Sequence, residues 1–225
     1  MASSTPAAPP KQVSERKLNH VMRLVGNIPA LPKWMGLYKL QAPVMDFLRP
    51  ALWGQKLRCK RSLWSSCTWR VTKDGEEFPL DRVLARLRAV EEIKTQVTQQ
   101  KQAALSIAEF TVASCTQSGS ADAFFKSYFY TPRKQWLDVQ ELQLSRDKDA
   151  VKIEALSFSA GLLPASTPLA PLFNVLFFWF AFSDWSQNRL HLATIKKWLE
   201  DDGLKVEESD VKETVAFRPS AKKGE

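Results

Sequence analysis

Few side chains in this 225-residue chain have types and spacings that suggest chemistry. Asp138, Asp184, Arg189 and His191 form the one polar group worth assembling. His191 follows Asp184 by about two helical turns, an arrangement that fits a general base and its orienter. It fits equally a helix cap followed by a surface histidine, and that is the reading we adopt. Cys115 lies in a Ser-Cys-Thr-Gln stretch that reads as a turn, and no dedicated base accompanies it to lower its pKa. Two histidines are too few for a histidine-based metal site, and no phosphate-cradling glycine loop, carboxylate pair or metal-ligand spacing stands out. The expectation is a non-catalytic protein with no cofactor and no metal. Cys59, Cys67 and Cys115 are odd in number and unclustered, which argues against a disulfide scaffold, although Cys59 and Cys67 remain a conceivable pair.

The elements that would position these residues read as an α+β domain. Leu80, Val83, Leu84, Leu87 and Val90, continuing to Ile93, recur at helical spacing behind Pro79. From about Thr95 the period becomes two. Strands are expected over Leu105–Val112, Ala123–Tyr130, Trp136–Leu144 and Ala150–Phe158, with a bulge at Glu109. Ser118-Gly119-Ser120, Thr131-Pro132 and Asp147-Lys148-Asp149 supply turns, so the strands form an antiparallel meander. An earlier strand should run through Trp69-Arg70-Val71. A C-terminal helix is expected to open at Asp184, with Gln187 as capping partner, to bury Leu192, Ile195 and Leu199, and to stop at Gly203. Two helices would thus pack against the sheet. Residues 205–225 read as a flexible charged tail.

Charge is unevenly spread. Residues 1–70 carry twelve lysines and arginines against Glu15 and Asp46, a net of +10 within a chain whose total is +8. An anionic contact in this third is implied: lipid headgroups, nucleic acid or an acidic partner. Residues 1–12 read as a disordered Ala/Pro/Ser arm. The start Met-Ala-Ser-Ser-Thr also has the composition of an organelle-targeting segment. Residues 13–54 form an irregular helical extension, with a short helix over Ser14–Val25 and then Pro29, Pro32, Pro43 and Pro50 as punctuation. Trp34, Trp53, Lys56, Arg58, Lys60 and Arg61 interleave aromatic and basic side chains, which suits a membrane interface or partner surface. Without a recognisable RNA-binding motif, nucleic acid is the weaker reading, and a strand with a solvated basic face is the plain one.

Between Ala155 and Ser183 there is no charged side chain. Leu162–Phe182 has about the length of a membrane span, but Pro164, Pro168 and Pro171 break its first half and Asn174 is polar. The segment therefore reads as a hydrophobic insertion before the C-terminal helix, with a buried core segment and a span as the other possibilities. Leu172, Phe173, Leu176, Phe177, Phe178, Trp179, Phe180 and Phe182 are its candidate contact residues.

The runs Phe124–Tyr130, Trp136–Gln140, Val151–Ser157 and Ser183–Arg189, in that order, resemble the DUF1499 family over about residues 80–204. Its closing-helix motif is matched by Ser183, Asp184, Asn188 and Arg189, with Ser186 in place of a glycine. Leu137 precedes Asp138 where the family has two acids, and Ala155-Leu156-Ser157 stands where it has an arginine-serine pair. The resemblance implies a domain spanning residues 55–204, carries no established enzymatic activity, and adds weight to an organellar home in plastid or mitochondrion rather than the cytoplasm. The functional expectation is an accessory subunit of a membrane-bound protein assembly, possible contact with anionic lipid included. The alternative is a binding protein for a small apolar ligand such as a lipid or pigment.

Overall fold

The computed structural model describes residues 35–49, 64–73, 79–89, 109–118, 122–131, 135–177 and 187–213. In chain order these form α1 (Leu37–Leu48), β1 (Trp64–Thr72), α2 (Leu80–Arg88), β2 (Glu109–Ser118), β3 (Asp122–Tyr130), β4 (Leu137–Asp147), β5 (Ala150–Ser159), α3 (Ala170–Leu176), α4 (Gln187–Asp201) and β6 (Lys205–Glu213). The fold is α+β: one open, six-stranded sheet in the order β2-β3-β4-β5-β1-β6, with every described pairing antiparallel.

Strands β2 to β5 are the expected meander, and Asp147 pairs with Ala150 across a turn at Lys148-Asp149. Two features differ from the sequence reading. The bulge falls at Ala113, between the pairs Val112–Ser127 and Ser114–Lys126, rather than at Glu109. Cys115 sits inside β2, opposite Phe125, and not in a turn. The larger difference is at the C-terminus. Residues 205–213 are not a flexible tail but the edge strand β6, paired along β1 from Thr72–Lys205 to Ser65–Glu213. Among Lys205–Lys212 only Val206 is buried. The charges alternate too freely to show a strand period, and backbone pairing with β1 supplies what the side chains do not. Opposite Cys67 the strand bulges at Asp210 and Val211, with Asp210 at φ 50°. A charged, bulged edge resists pairing with other chains.

Helices α2 and α4 lie on one face of the sheet. Leu80, Val83, Leu84 and Leu87 from α2 meet Leu192, Ile195, Trp198 and Leu199 from α4. They pack over two cross-strand rows, Phe125-Leu142-Ala155-Cys67 and Ala123-Leu144-Ile153-Trp69. Arg82 Nε holds Asp202 at 2.8 Å and so ties the start of α2 to the end of α4. That helix ends as its sequence predicts: Leu204 N–H donates to Leu199 O at 3.3 Å and Gly203 N–H to Glu200 O at 2.9 Å, with Gly203 at φ 78°. This is the paired hydrogen-bond closure that needs a left-handed residue at its corner. Val90 and Ile93, the Ser14–Val25 helix, Trp185 and Cys59 lie outside the described residues.

The opposite face carries α1 and the apolar insertion. Tyr38, Ala42 and Met45 of α1 pack on Tyr128, Tyr130, Leu137, Val139 and Phe158, together with Ala160, Leu162, Leu163, Ala165 and Ala170. The insertion is therefore divided: residues 160–167 and Ala170 are core, whereas Pro168, Leu169 and the outer side of α3 are exposed. Its prolines explain the division. Pro164 accepts from Thr167 N–H at 3.0 Å in a turn, and Pro171 occupies the first turn of α3, where no N–H donor is needed.

Candidate docking surface

Among the described residues, two short helices present most of the large exposed apolar side chains. In α1, the buried residues Tyr38, Ala42, Met45 and Asp46 recur at helical spacing and face the sheet. Leu40, Val44 and Phe47 recur at the same spacing on the opposite side, and Leu40 and Phe47 are 74% and 83% exposed. Helix α3 repeats the pattern. Ala170 and Asn174 face inward, whereas Leu169, Leu172, Phe173 and Leu176, followed by Phe177, are exposed. The two helices are neighbours. Gln41 Nε2 of α1 donates to Ala165 O at 2.8 Å and Thr167 O at 2.9 Å, in the segment leading into α3.

Polar bonds hold both helices rigidly. Asn174 accepts from Leu163 N–H at 2.7 Å and donates to Leu163 O at 3.3 Å, so the one polar side chain of α3 is a clamp. Gly161 makes room for it, since a Cβ there would stand 2.2 Å from Asn174 Cγ. At the other end of α1, Asp46 accepts from Tyr128 Oη at 3.0 Å and Lys126 Nζ at 2.9 Å. Lys126 also lies 3.0 Å from Glu141, which Arg49 engages through both guanidinium nitrogens. Burial and the neighbouring Asp46 carboxylate raise the Tyr128 phenol well above its ordinary range, keeping it a donor. Buried charges that satisfy one another fix position more than they add stability. Here they fix the angle at which the outer stripe of α1 is shown.

A different arrangement lies under the start of α4. Ser127, Gln140, Ser157 and Ser65 form one cross-strand row, and Asp138 and Ser159 belong to the next. All are buried, as are Asn188 and His191 above them. Gln140 Nε2 donates to Ser157 Oγ at 3.2 Å, Ser157 donates to Asn188 Oδ1 at 2.7 Å, and Asn188 Nδ2 donates to Ser159 Oγ at 3.1 Å. His191 Nδ1 lies 3.4 Å from both Asp138 Oδ2 and Gln140 Nε2, and its ring stacks on Phe129 at 4.5 Å. Burial pushes the imidazole down to about 3, outweighing the nearby carboxylate, so it is neutral. This corrects the reading of His191 as a surface residue. It belongs with Asp138, as grouped, and the pair has the geometry of a base and orienter. The neighbouring hydroxyls of Ser157 and Ser159 are committed to Asn188, and neither is bonded to the imidazole.

The remaining candidates are placed as follows. Leu172, Phe173, Leu176 and Phe177 are exposed on α3, Asn188 is buried in the polar strip, and Arg189 is exposed. Phe178, Trp179, Phe180, Phe182, Trp34, Trp53, Lys56, Arg58, Lys60, Arg61, Ser183 and Asp184 lie outside the described residues. Cys67 is a free thiol pushed up to about 12, chiefly by burial and then by Glu208, which leaves it unreactive. Cys115 is free and half-buried, with Arg88 Nε at 3.3 Å from its sulfur. Sequence reasoning missed Leu40, Val44, Phe47 and Leu169 as surface residues. The signal present was that α1 is apolar on two opposite sides, which a single-sided core helix is not. Among the described residues no helix is long and apolar enough to cross a membrane, and no cluster of metal-ligating side chains occurs. Compared with known proteins, the chain matches no family model, no curated protein and no solved structure.

Proposed function

We propose that this protein is a non-catalytic accessory subunit that docks on a membrane-bound protein assembly through the outer face of α1 and α3. The observation that carries the reading is the pair of apolar stripes, Leu40-Val44-Phe47 and Leu169-Leu172-Phe173-Leu176, side by side on rigidly held helices. A contiguous exposed apolar face of this kind marks an interaction site on a folded domain. Basic residues concentrated in the N-terminal third, including the Trp-rich stretch through Lys56, Arg58, Lys60 and Arg61, support a membrane setting. An organellar address and a DUF1499-like scaffold belong to the same proposal. The stripes point away from the core and so favour docking over enclosure of a small apolar ligand. Photo-crosslinkers at Phe47 and Leu176 test the reading in native membranes. They should capture a defined membrane subunit, while one at Glu207 on β6 should not. Equal capture from all three positions, or from none, sinks the proposal.

A further inference from the structure

We infer that the α1–α3 face seats on the bilayer itself, as an interfacial anchor on an anionic leaflet. The inference rests on the exposed face that the docking reading uses and departs from that reading in one point: lipid, not a protein subunit, covers the outer positions of α1 and α3. Three observations favour lipid over protein. First, the outward positions are Leu40, Val44 and Phe47 on α1 and Leu169, Leu172, Phe173 and Leu176 on α3, so no hydrogen-bonding side chain interrupts either stripe. Protein interfaces pair an apolar centre with directional polar groups and favour Tyr, Trp and Arg anchors. Hydrocarbon asks for neither. Second, α1 and α3 are 12 and 7 residues long, too short to cross a bilayer and suited to lying in its plane. Third, charge is complementary. The net +10 of residues 1–70 brackets α1 in the sequence, and Lys39 is exposed on α1 beside the stripe, its Nζ 5.8 Å from the Tyr38 ring centre. Its ammonium, which lies over the Tyr38 ring, would turn to headgroup phosphate as the stripe enters the acyl boundary.

Flotation of the purified full chain with vesicles tests this, comparing phosphatidylcholine alone with phosphatidylcholine containing phosphatidylserine. The wild type should float with the anionic vesicles and much less with the neutral ones, and added salt should weaken it. Phe47→Asp and Leu172→Asp replace exposed side chains, so the fold should persist, as checked by thermal denaturation. Each should weaken binding by at least about tenfold, the scale expected for losing one large apolar side chain from a nonpolar phase. Lys39→Glu should lower binding to anionic vesicles selectively. A wild type that stays at the bottom with both vesicle types overturns the inference, as does binding that survives Phe47→Asp and Leu172→Asp combined. If it ignores vesicles yet the crosslinkers at Phe47 and Leu176 still capture a membrane subunit, the face is a protein interface: docking stands and the bilayer anchor falls. If it binds anionic vesicles and the crosslinkers capture no subunit, the bilayer anchor stands and docking on a protein falls; if both fail, both readings go together.

Discussion

His191 is held neutral by burial. An unfolded histidine titrates near 6.5, whereas the folded one titrates at about 3. Between those values the unfolded state binds more protons, so stability falls as pH falls through that window. The slope is about 1.4 kcal/mol per pH unit. His191→Gln should flatten this dependence, measured as the change in denaturation midpoint between about pH 6 and pH 5 against wild type. A slope unchanged by the substitution would remove His191 as its cause. Asn188 plays the complementary part, satisfying Ser157 and Ser159 together. Asn188→Ala leaves both hydroxyls short of a partner, and a loss of about 1–3 kcal/mol is expected in urea unfolding. A loss of a few tenths would mean that water replaces the amide. Of this strip only Asp138, His191 and Asn188 were singled out beforehand, the first two as a group and the third as a motif residue. Ser127, Gln140, Ser157 and Ser65 come from four strands, and only register brings them into a row.

At the level of elements, legibility tracked periodicity. The stripes of α2 and α4 repeat at one helical spacing and face one core, so their residues were identifiable in advance. Helix α1 was not, because apolar residues occupy two opposite sides and because Pro43, expected to punctuate this stretch, lies inside the helix without ending it. The insertion was readable as apolar but not as divided, since the division depends on Asn174 turning inward to bond Leu163. Gly161→Ala tests that clamp. The added Cβ would collide with Asn174 and displace α3, at a cost of about 1–3 kcal/mol. Thermal denaturation should show the loss, and proteolysis should shift toward the segment joining β5 to α3. An unchanged melting temperature would show that the clamp is dispensable to the fold.

For the whole molecule, the sheet has two unlike faces at one end. Where α4 begins, one side is a sealed polar strip. Directly behind it, Tyr128, Val139 and Phe158 carry α1 and the insertion. Among the described residues the scaffold is thus asymmetric, with its exposed apolar stripes on the α1–α3 side. Edge strand β6 completes the other end by covering β1. Ending the chain before Lys205 should therefore uncover the β1 edge beside Cys67, Trp69 and Val71 and lower the yield of soluble monomer. Ending it after Glu213 keeps the strand and should preserve the fold. Equal solubility of the two truncated forms would refute a structural role for β6.

The place of β1 also sets an order of events during synthesis. It is the first of the described strands, yet its partners are β5 and β6, the last two of them. As the chain leaves the ribosome, Trp64–Thr72 must wait for Val151 and its neighbours, while β2 to β5 zip together locally one after another. Insertion of β1 beside β5, followed by β6, is then the slow closing step. Until it occurs Trp69 stays exposed along an unpaired strand, the stage at which this chain is most open to aggregation or to a chaperone.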